Sequence, residues 1–558
     1  MASLLLQVKK KVIDVFTIVQ RICLRFDDNE LTEGTGWIVR LCRAYIAFIR
    51  LFPNFPARIF IQQYCAVIVK RTDENPSLKA EIKERWLRFF DANDDDTRMF
   101  MTHLFLQSRI FDEDVTRRMM AFAAETKNPA YRYWVTMDVS LKTYELIQGF
   151  YPEYYTDRRR LFKMIAEESD IKLPPREART DSQTKICVIT YLLYPSMYNS
   201  TQRTSVMFAN NLQHLGADVT VVSLESFYKT VSDGRKIITL YKRFSPRWKK
   251  KEIKAHFNEN VKVKYAHGRN FRERLQSVIQ IIYSCNPDII LDISDEFSPM
   301  SYFYAQDFFT VYQPMRVSAS SQFFTKILGT DFKIRKVNDL YHFTDERNIL
   351  HWTFPEFVPP EMGTMTKRDL GVNDDAFVIV SVGNNTVFNN SEIDCMNALL
   401  TDNPSFVWLL IGMKGSSYLH TAYGNLLKDK RVIEWGFENN LAGLYRACDV
   451  LLRNNQSGGS GATAIAAMQG LPIVMTNYLC DASRWLGADY SNVSNFQDLM
   501  GEIEKLCNNR QYYEQRSALV RKLIGQNLDC EEKWKQLYDL LQSERTKWEA
   551  EKVHGQQH

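Results

Sequence analysis

Apolar residues recur at helical spacing through the first third of the chain. Val8, Val12, Val15, Phe16 and Val19 share one face, as do Ile38, Cys42, Tyr45, Ile46 and Ile49, the i, i+3, i+4 pattern of amphipathic helices. Trp86, Phe89 and Phe90 mark another apolar face, followed by the acidic run Asp94-Asp95-Asp96, read as a solvated helix start. Glycine is rare here, so residues 1–180 are expected to form an all-α domain.

The pattern changes at Leu173-Pro174-Pro175 and the polar run Arg176 to Thr184, read as a linker. Short continuous apolar runs then alternate with helical stretches. Lys185 to Thr190 reads as a buried parallel strand, Pro195 to Thr201 as a polar loop, Gln202 to Leu215 as a helix closed by Gly216, and Val219 to Val222 as the next strand. Asp288 to Leu291 is a further strand that leads to Ser294-Asp295-Glu296. After Pro359-Pro360 the alternation restarts. Strands are predicted at Phe377–Val382, Phe406–Ile411, Arg431–Glu434, Val450–Leu452 and Leu471–Met475. Helices are predicted at Ser391–Leu400, Tyr418–Leu427 and Leu441–Cys448, with a mostly helical tail to about Glu551. The expected fold is α/β: two tandem Rossmann-like domains, 184–360 and 361–558, behind the all-α domain.

The stretch Arg453 to Thr463 is the most glycine-dense in the chain, and it stands between a strand and a helix. Glycines let backbone N–H groups approach an oxyanion, and a helix N-terminus adds partial positive charge. Ser457, Gly458, Gly459, Ser460, Gly461 and Thr463 are therefore candidates for holding a diphosphate, with Asn454 and Gln456 beside them. Ligands of open parallel sheets sit at the carboxyl ends of strands. By that rule Asn384, Asn385 and Lys414 join the candidates, as do Ser200, Thr201 and Arg203 in the first α/β domain. Asp295 and Glu296, at a strand end, are candidates for a catalytic base; His267 is a weaker one.

Composition narrows the class. A net charge of +5 over 558 residues, 45% hydrophobic and 25% charged, is that of an ordinary globular protein, and no nucleic-acid partner is expected. Cations gather between Arg235 and Arg274, which fits a solvated face or a surface for an anionic acceptor or membrane headgroups. The first helix, with Lys9, Lys10 and Lys11 beside its apolar stripe, fits a core face or a peripheral membrane contact. The ten cysteines show no C-x-x-C spacing, which points to buried thiols in a reducing compartment, and a cytoplasmic protein is expected.

The run Val432-Ile433-Glu434-Trp435-Gly436-Phe437, then Leu444 to Val450 ("LYRACDV"), Ser457 to Gly461, and Ala467 to Val474 ("AMQGLPIV") resembles the nucleotide-sugar half of the GT-B glycosyltransferases of family 4. The resemblance covers roughly 184–540 and is specific from about 430 to 476. Two glutamates that flank this loop in the retaining family-4 enzymes are absent; Ser457 and Ile465 hold their places. The family's basic residues after the first strand of this half are replaced by Asn384 and Asn385, which leaves Lys414 as the nearest cation on a neighbouring strand end. The O-GlcNAc transferases and bacterial adhesin N-glucosyltransferases also lack the glutamate pair and also carry an all-α domain ahead of the GT-B pair. They are similar in the run Phe388 to Leu410 too, but have an aspartate where Ile465 stands.

The resemblance implies transfer of a sugar from a nucleoside-diphosphate sugar, UDP-linked, to a protein or glycan acceptor. No cofactor or metal is expected, because backbone N–H groups, hydroxyls and a cation take the leaving charge. An inverting reaction needs Asp295 or Glu296 as base; a retaining one needs no protein base, and the stereochemistry stays open. The all-α domain is expected to dock an acceptor or support homo- or hetero-oligomers. The alternative is a non-catalytic GT-B-like partner that stabilises an active transferase.

Overall fold

The computed structural model describes residues 65, 68–69, 71–72, 75–143, 153–177, 182–191, 193–195, 197, 200–224, 247–268, 271–294, 299–314, 323–329, 345–357, 363–383, 388–412, 417–453, 460–476, 482–487, 490, 493 and 495–555. The expected first helices and the basic run up to 246 lie outside them. By compactness the chain divides into Met1–Val311 with Ser320–Thr325, and Tyr312–Ala319 with Lys326–His558.

The first unit begins with helices α1 (Pro76–Asp91), α2 (Asp95–Gln107), α3 (Glu113–Glu125), α4 (Pro129–Thr143) and α5 (Tyr154–Glu168). Their starts are written locally. Asn75 caps α1, which has Pro76 in its first turn, and buries Leu78, Ile82, Trp86, Leu87 and Phe90 on one stripe. Asp94 caps α2 by accepting from Thr97 N at 2.9 Å, so the acidic run is a helix start. The helices pack directly on the α/β part of the same unit. The rings of Tyr133 and Phe271 lie 5.2 Å apart, Tyr302 OH donates to Glu167 Oε1 at 2.9 Å, and Gln276 exchanges hydrogen bonds with both backbone groups of Lys172.

The α/β part continues β1 (Lys185–Thr190), α6 (Ser200–His214), β2 (Asp218–Ser223), α7 (Arg247–Lys254), β3 (Lys262–Tyr265), α8 (Phe271–Cys285), β4 (Ile289–Asp292), α9 (Ser301–Asp307) and β5 (Phe309–Tyr312); β6 (Lys326–Gly329) and β7 (Ile349–His351) follow in the second unit. Within the first unit the sheet order is β3-β2-β1-β4-β5, and in the second unit β6 pairs in parallel with β7. β1 runs parallel to both β2 and β4 and is buried from Ile186 onward, which explains its unbroken apolar sequence. Helix α6 closes at Gly216, whose φ of +95° suits glycine.

The second sheet is built from β8 (Phe377–Val382), α10 (Asn390–Asp402), β9 (Phe406–Ile411), α11 (Ser417–Ala422), α12 (Gly424–Lys428), β10 (Val432–Gly436), α13 (Leu441–Tyr445), β11 (Val450–Leu452), α14 (Ser460–Met468), β12 (Ile473–Val474), α15 (Ser483–Leu486), α16 (Phe496–Asn508), α17 (Arg510–Gly525) and α18 (Glu531–Gly555). Its order is β10-β9-β8-β11-β12, all parallel. The chain thus holds two Rossmann-like sheets behind a helical layer, the expected fold class.

Three details differ from the expected elements. The helix predicted over Tyr418–Leu427 is two short ones broken at Tyr423, whose hydroxyl reaches Asp394 at 2.6 Å. Helix α13 stops at Tyr445, where Ala447 N and Cys448 N turn back onto the carbonyls of Leu444 and Tyr445. β12 is cut to Ile473–Val474; Pro472, which has no N–H, stands before it, and its carbonyl still accepts from Leu451 N at 2.9 Å.

Candidate functional site

In the second sheet the chain order runs from β8 outward through β9 to β10 on one side and through β11 to β12 on the other. The switch point therefore falls between β8 and β11, which pair Ile379 with Val450 and Val380 with Leu451. In open parallel sheets this is where ligands bind, beyond the carboxyl ends of the strands. The connections leaving these two strands are the ones that carry Asn384–Asn385 and the glycine loop. Gly383 N is held by Ile411 O at 3.0 Å and Arg453 N by Val474 O at 2.9 Å, so both departures are fixed. Asn384, Asn385, Lys414, Asn454, Gln456, Ser457, Gly458 and Gly459 themselves lie outside the described residues.

A buried polar relay forms the floor under this point. Trp408 Nε1 on β9 donates to Ser381 Oγ on β8 at 3.1 Å, and Ser381 Oγ donates to Leu452 O on β11 at 3.1 Å. Three adjacent strands are tied together within three residues of their carboxyl ends.

The glycine loop leads directly into α14, and the first turn of that helix is already engaged. Ser460 is buried, and its hydroxyl donates to Glu356 Oε1 at 2.5 Å while accepting from Trp485 Nε1 at 3.3 Å. Thr463 is buried and its hydroxyl receives Arg453 Nη1. Gly461 is half-buried between them. In this arrangement the Ser460 hydroxyl proton is committed to a protein carboxylate and not to an incoming anion. Arg453 brings a half-buried guanidinium to the end of β11.

The "YRACDV" run is scaffold. Tyr445, Ala447 and Cys448 are core residues, and burial pushes the Cys448 thiol well above its usual range. Arg446 Nε binds Gln469 Oε1 at 2.7 Å. Asp449 accepts from Val378 N at 2.7 Å, pairs with Lys367 at 2.9 Å and donates its own N–H to Val378 O, so it sets the β8–β11 register. The far end of α14 is held as well: Gly470, at φ +74°, offers its carbonyl to Ser517 Oγ at 2.6 Å, and Arg521 Nη2 binds Gln469 O at 3.0 Å.

The first sheet has the same arrangement, with its switch point between β1 and β4, where Ile189 lies opposite Asp292. Ser200, Thr201 and Arg203 follow the β1 connection, but in the first turn of α6 and not in a loop; Arg203 is half-buried. Buried Gln202 accepts from Tyr194 N at 3.0 Å and so braces that connection. Asp295 and Glu296 follow β4 and lie outside the described residues. Just before them the fully buried Asp292 accepts from Ser294 N at 2.9 Å, from Ser294 Oγ and from Tyr304 OH. Burial raises the Asp292 carboxyl above its ordinary value, and these hydrogen bonds oppose that shift. His267, two residues beyond the carboxyl end of β3, is tied to Ser277 Oγ through its backbone N–H at 3.1 Å and through Nδ1 at 3.2 Å.

Three residues absent from the sequence-based candidates stand out: Glu356, Arg453 and Phe437. Phe437 is 69% exposed, immediately beyond the carboxyl end of β10. The turn behind it is fixed by Glu438, which accepts from Trp435 Nε1 at 3.0 Å and from Asn440 N at 2.6 Å. An exposed phenylalanine at a strand end was a visible signal; Glu356 had none, being 104 residues from Ser460 in sequence.

No protein-family model and no curated protein sequence matches the chain. Among solved structures, it is similar to HepE from Anabaena in complex with UDP and glucose, at 13% identity and a TM-score of 0.45 over 65% of this chain and 100% of that one. A glycosyltransferase from Rickettsia africae gives 13% identity and a TM-score of 0.47 over 65% and 99%. A mutant of the Thermobaculum terrenum O-GlcNAc transferase gives 10% identity and a TM-score of 0.47 over 93% and 99%. At these identities and scores the likeness assigns no activity.

Proposed function

We propose that the chain is a glycosyltransferase that moves a sugar from a nucleoside-diphosphate sugar, UDP-linked, to a protein or glycan acceptor without a metal. The observation that supports this most is that the glycine-rich stretch of the sequence joins β11 to α14, and the stretch with Asn384 and Asn385 follows β8, the two strands that flank the switch point of the second sheet. In this reading the backbone N–H groups of 457–461 and the α14 N-terminus hold the diphosphate. The side chains of Arg453 and Lys414 offset its charge. Phe437 offers a face to the nucleobase. Neighbouring strands lie about 4.8 Å apart, so the end of β10 is roughly 10–14 Å from the ends of β8 and β11, the reach of a nucleoside diphosphate.

The first sheet would supply the acceptor side. If the reaction inverts, the carboxylate of Asp295 or Glu296 takes the acceptor hydroxyl proton while the sugar–phosphate bond breaks and the nucleoside diphosphate departs. If it retains, the leaving phosphate takes that proton. Turnover across a panel of nucleotide sugars, with and without a chelator, tests the reading. No hydrolysis or transfer from any donor, together with no binding of any nucleoside diphosphate, would reject it.

One observation favours a second reading, a non-catalytic partner that stabilises an active transferase. The start of α14 already faces the buried carboxylate of Glu356 through Ser460. Binding of nucleoside diphosphate separates the two readings.

A further inference from the structure

We infer that Glu356 is a positioning residue for the diphosphate loop, acting through the Ser460 hydroxyl; this rests on the function proposed above. Glu356 is 3% exposed, too buried for solvent to explain a charged residue there. Its backbone is stapled to the chain that follows α17: Glu356 N donates to Asn527 O at 2.8 Å and Asp529 N donates to Glu356 O at 3.1 Å, a parallel bridge opposite Leu528. The staple is rigid on both sides. Trp352, Phe354 and Trp534 pack ring to ring at 5.4–6.0 Å, Trp352 Nε1 donates to Lys533 O at 3.1 Å, and Lys533 Nζ donates to Asn527 Oδ1 at 2.8 Å.

From this anchor the Glu356 side chain reaches Ser460, the first residue of α14 and the residue immediately after the glycine loop. The Ser460 oxygen also receives Trp485 Nε1, so its position is set from two directions. The opposite end of α14 is gripped by Ser517 and Arg521 on α17. Both ends of α14 are therefore held by hydrogen bonds, and Ser460, which follows the glycine-rich stretch, has a defined position. Glycine-rich loops have many backbone conformations, and an anion site made of N–H groups needs one of them. Glu356 reduces that freedom where it matters most, at the residue where loop becomes helix. A group on one strand of sequence thus sets the geometry of a site assembled by another.

The test compares full-length wild type with Glu356→Ala, Glu356→Gln, Ser460→Ala and the Glu356→Ala/Ser460→Ala double variant. Affinity is measured by calorimetry against UDP, GDP, ADP, CDP and dTDP, and melting temperature is recorded for each protein. Glu356→Gln keeps an oxygen that can accept from Ser460, so it should bind within about threefold of wild type. Glu356→Ala and Ser460→Ala should each weaken binding about tenfold or more, the range for a buried hydrogen bond to a charged group. The double variant should be no weaker than the worse single one, because both changes remove one interaction. Unchanged nucleotide affinity in both single variants, with only the melting temperature lowered, overturns the inference and leaves Glu356 a stability residue. Multiplicative losses in the double variant overturn it too. Wild-type protein that binds none of the five nucleotides rejects the parent reading and this inference with it, an outcome distinct from the other two. If Glu356→Ala does not fold, the Ser460→Ala and Glu356→Gln pair still decides the question.

Discussion

Ser381→Ala tests whether the floor under the switch point is held as described. Ser381 and Trp408 are each 1% exposed, and the serine hydroxyl links Trp408 Nε1 to Leu452 O with two bonds of 3.1 Å. Alanine removes both bonds at about 1 kcal/mol each and leaves the indole N–H buried with no acceptor, a further 1 kcal/mol or so. The expected loss is about 2–3 kcal/mol, or roughly 5–10 °C in melting temperature for a unit of this size. Urea unfolding followed by tryptophan fluorescence reads this directly. Trp408→Phe removes the donor instead. Combining it with Ser381→Ala leaves no orphaned indole N–H, so the double variant should be about 1 kcal/mol more stable than the sum of the single effects predicts. A Ser381→Ala protein within about 0.5 kcal/mol of wild type, or strictly additive losses, would refute the relay.

Other outcomes follow from the same structure. Gly443→Ala places a Cβ 2.1 Å from Gly363 O and 2.4 Å from Asn440 Nδ2, so it should cost about 1–3 kcal/mol in a thermal melt. Phe437→Ala should weaken nucleoside diphosphate binding about threefold to tenfold by calorimetry, the range for losing one aromatic stacking contact, with no change in melting temperature. Gly459→Asp puts a carboxylate into the proposed diphosphate loop and should abolish that binding. The pH dependence of stability should carry the mark of Asp292: its folded-state pKa is raised by burial, so the native protein holds a proton that the unfolded chain has released. Stability from this group is therefore greatest at low pH and falls as pH rises above the ordinary carboxyl range. Asp292→Asn should show a shallower decline than wild type between pH 4 and 7 in urea unfolding.

Strands β1, β8 and β9 were legible to the residue because each is a continuous apolar run ended by a polar or glycine position, and burial on both faces demands that pattern. Gly216 marked a helix end for a reason visible in sequence, since the position needs φ above zero. What could not be read was whatever depends on distant partners. Asp449 looked like part of a motif, and it is an anchor for Val378 and Lys367, 71 and 82 positions earlier. Ser460 looked like a free donor, and it faces Glu356. The strand order puts β1 beside β4 and β8 beside β11 at two switch points, a fact no local pattern contains, since pairing of β8 with β11 skips two intervening strands. The single helix expected over Tyr418–Leu427 failed for a similar reason: a tertiary bond from Tyr423 to Asp394 sits at the break.

The proposed function stands or falls with binding of a nucleoside diphosphate by the glycine-rich stretch between β11 and α14. A thermal-shift titration of the full-length protein with UDP, GDP, ADP, CDP and dTDP and their sugars tests it most directly. At a hundredfold excess over the dissociation constant, binding adds about 2.7 kcal/mol to apparent stability, several degrees in melting temperature. At least one nucleotide, UDP first among them, should give such a shift, and Gly459→Asp should abolish it. No shift with any of them, or an equal shift in Gly459→Asp, would contradict it.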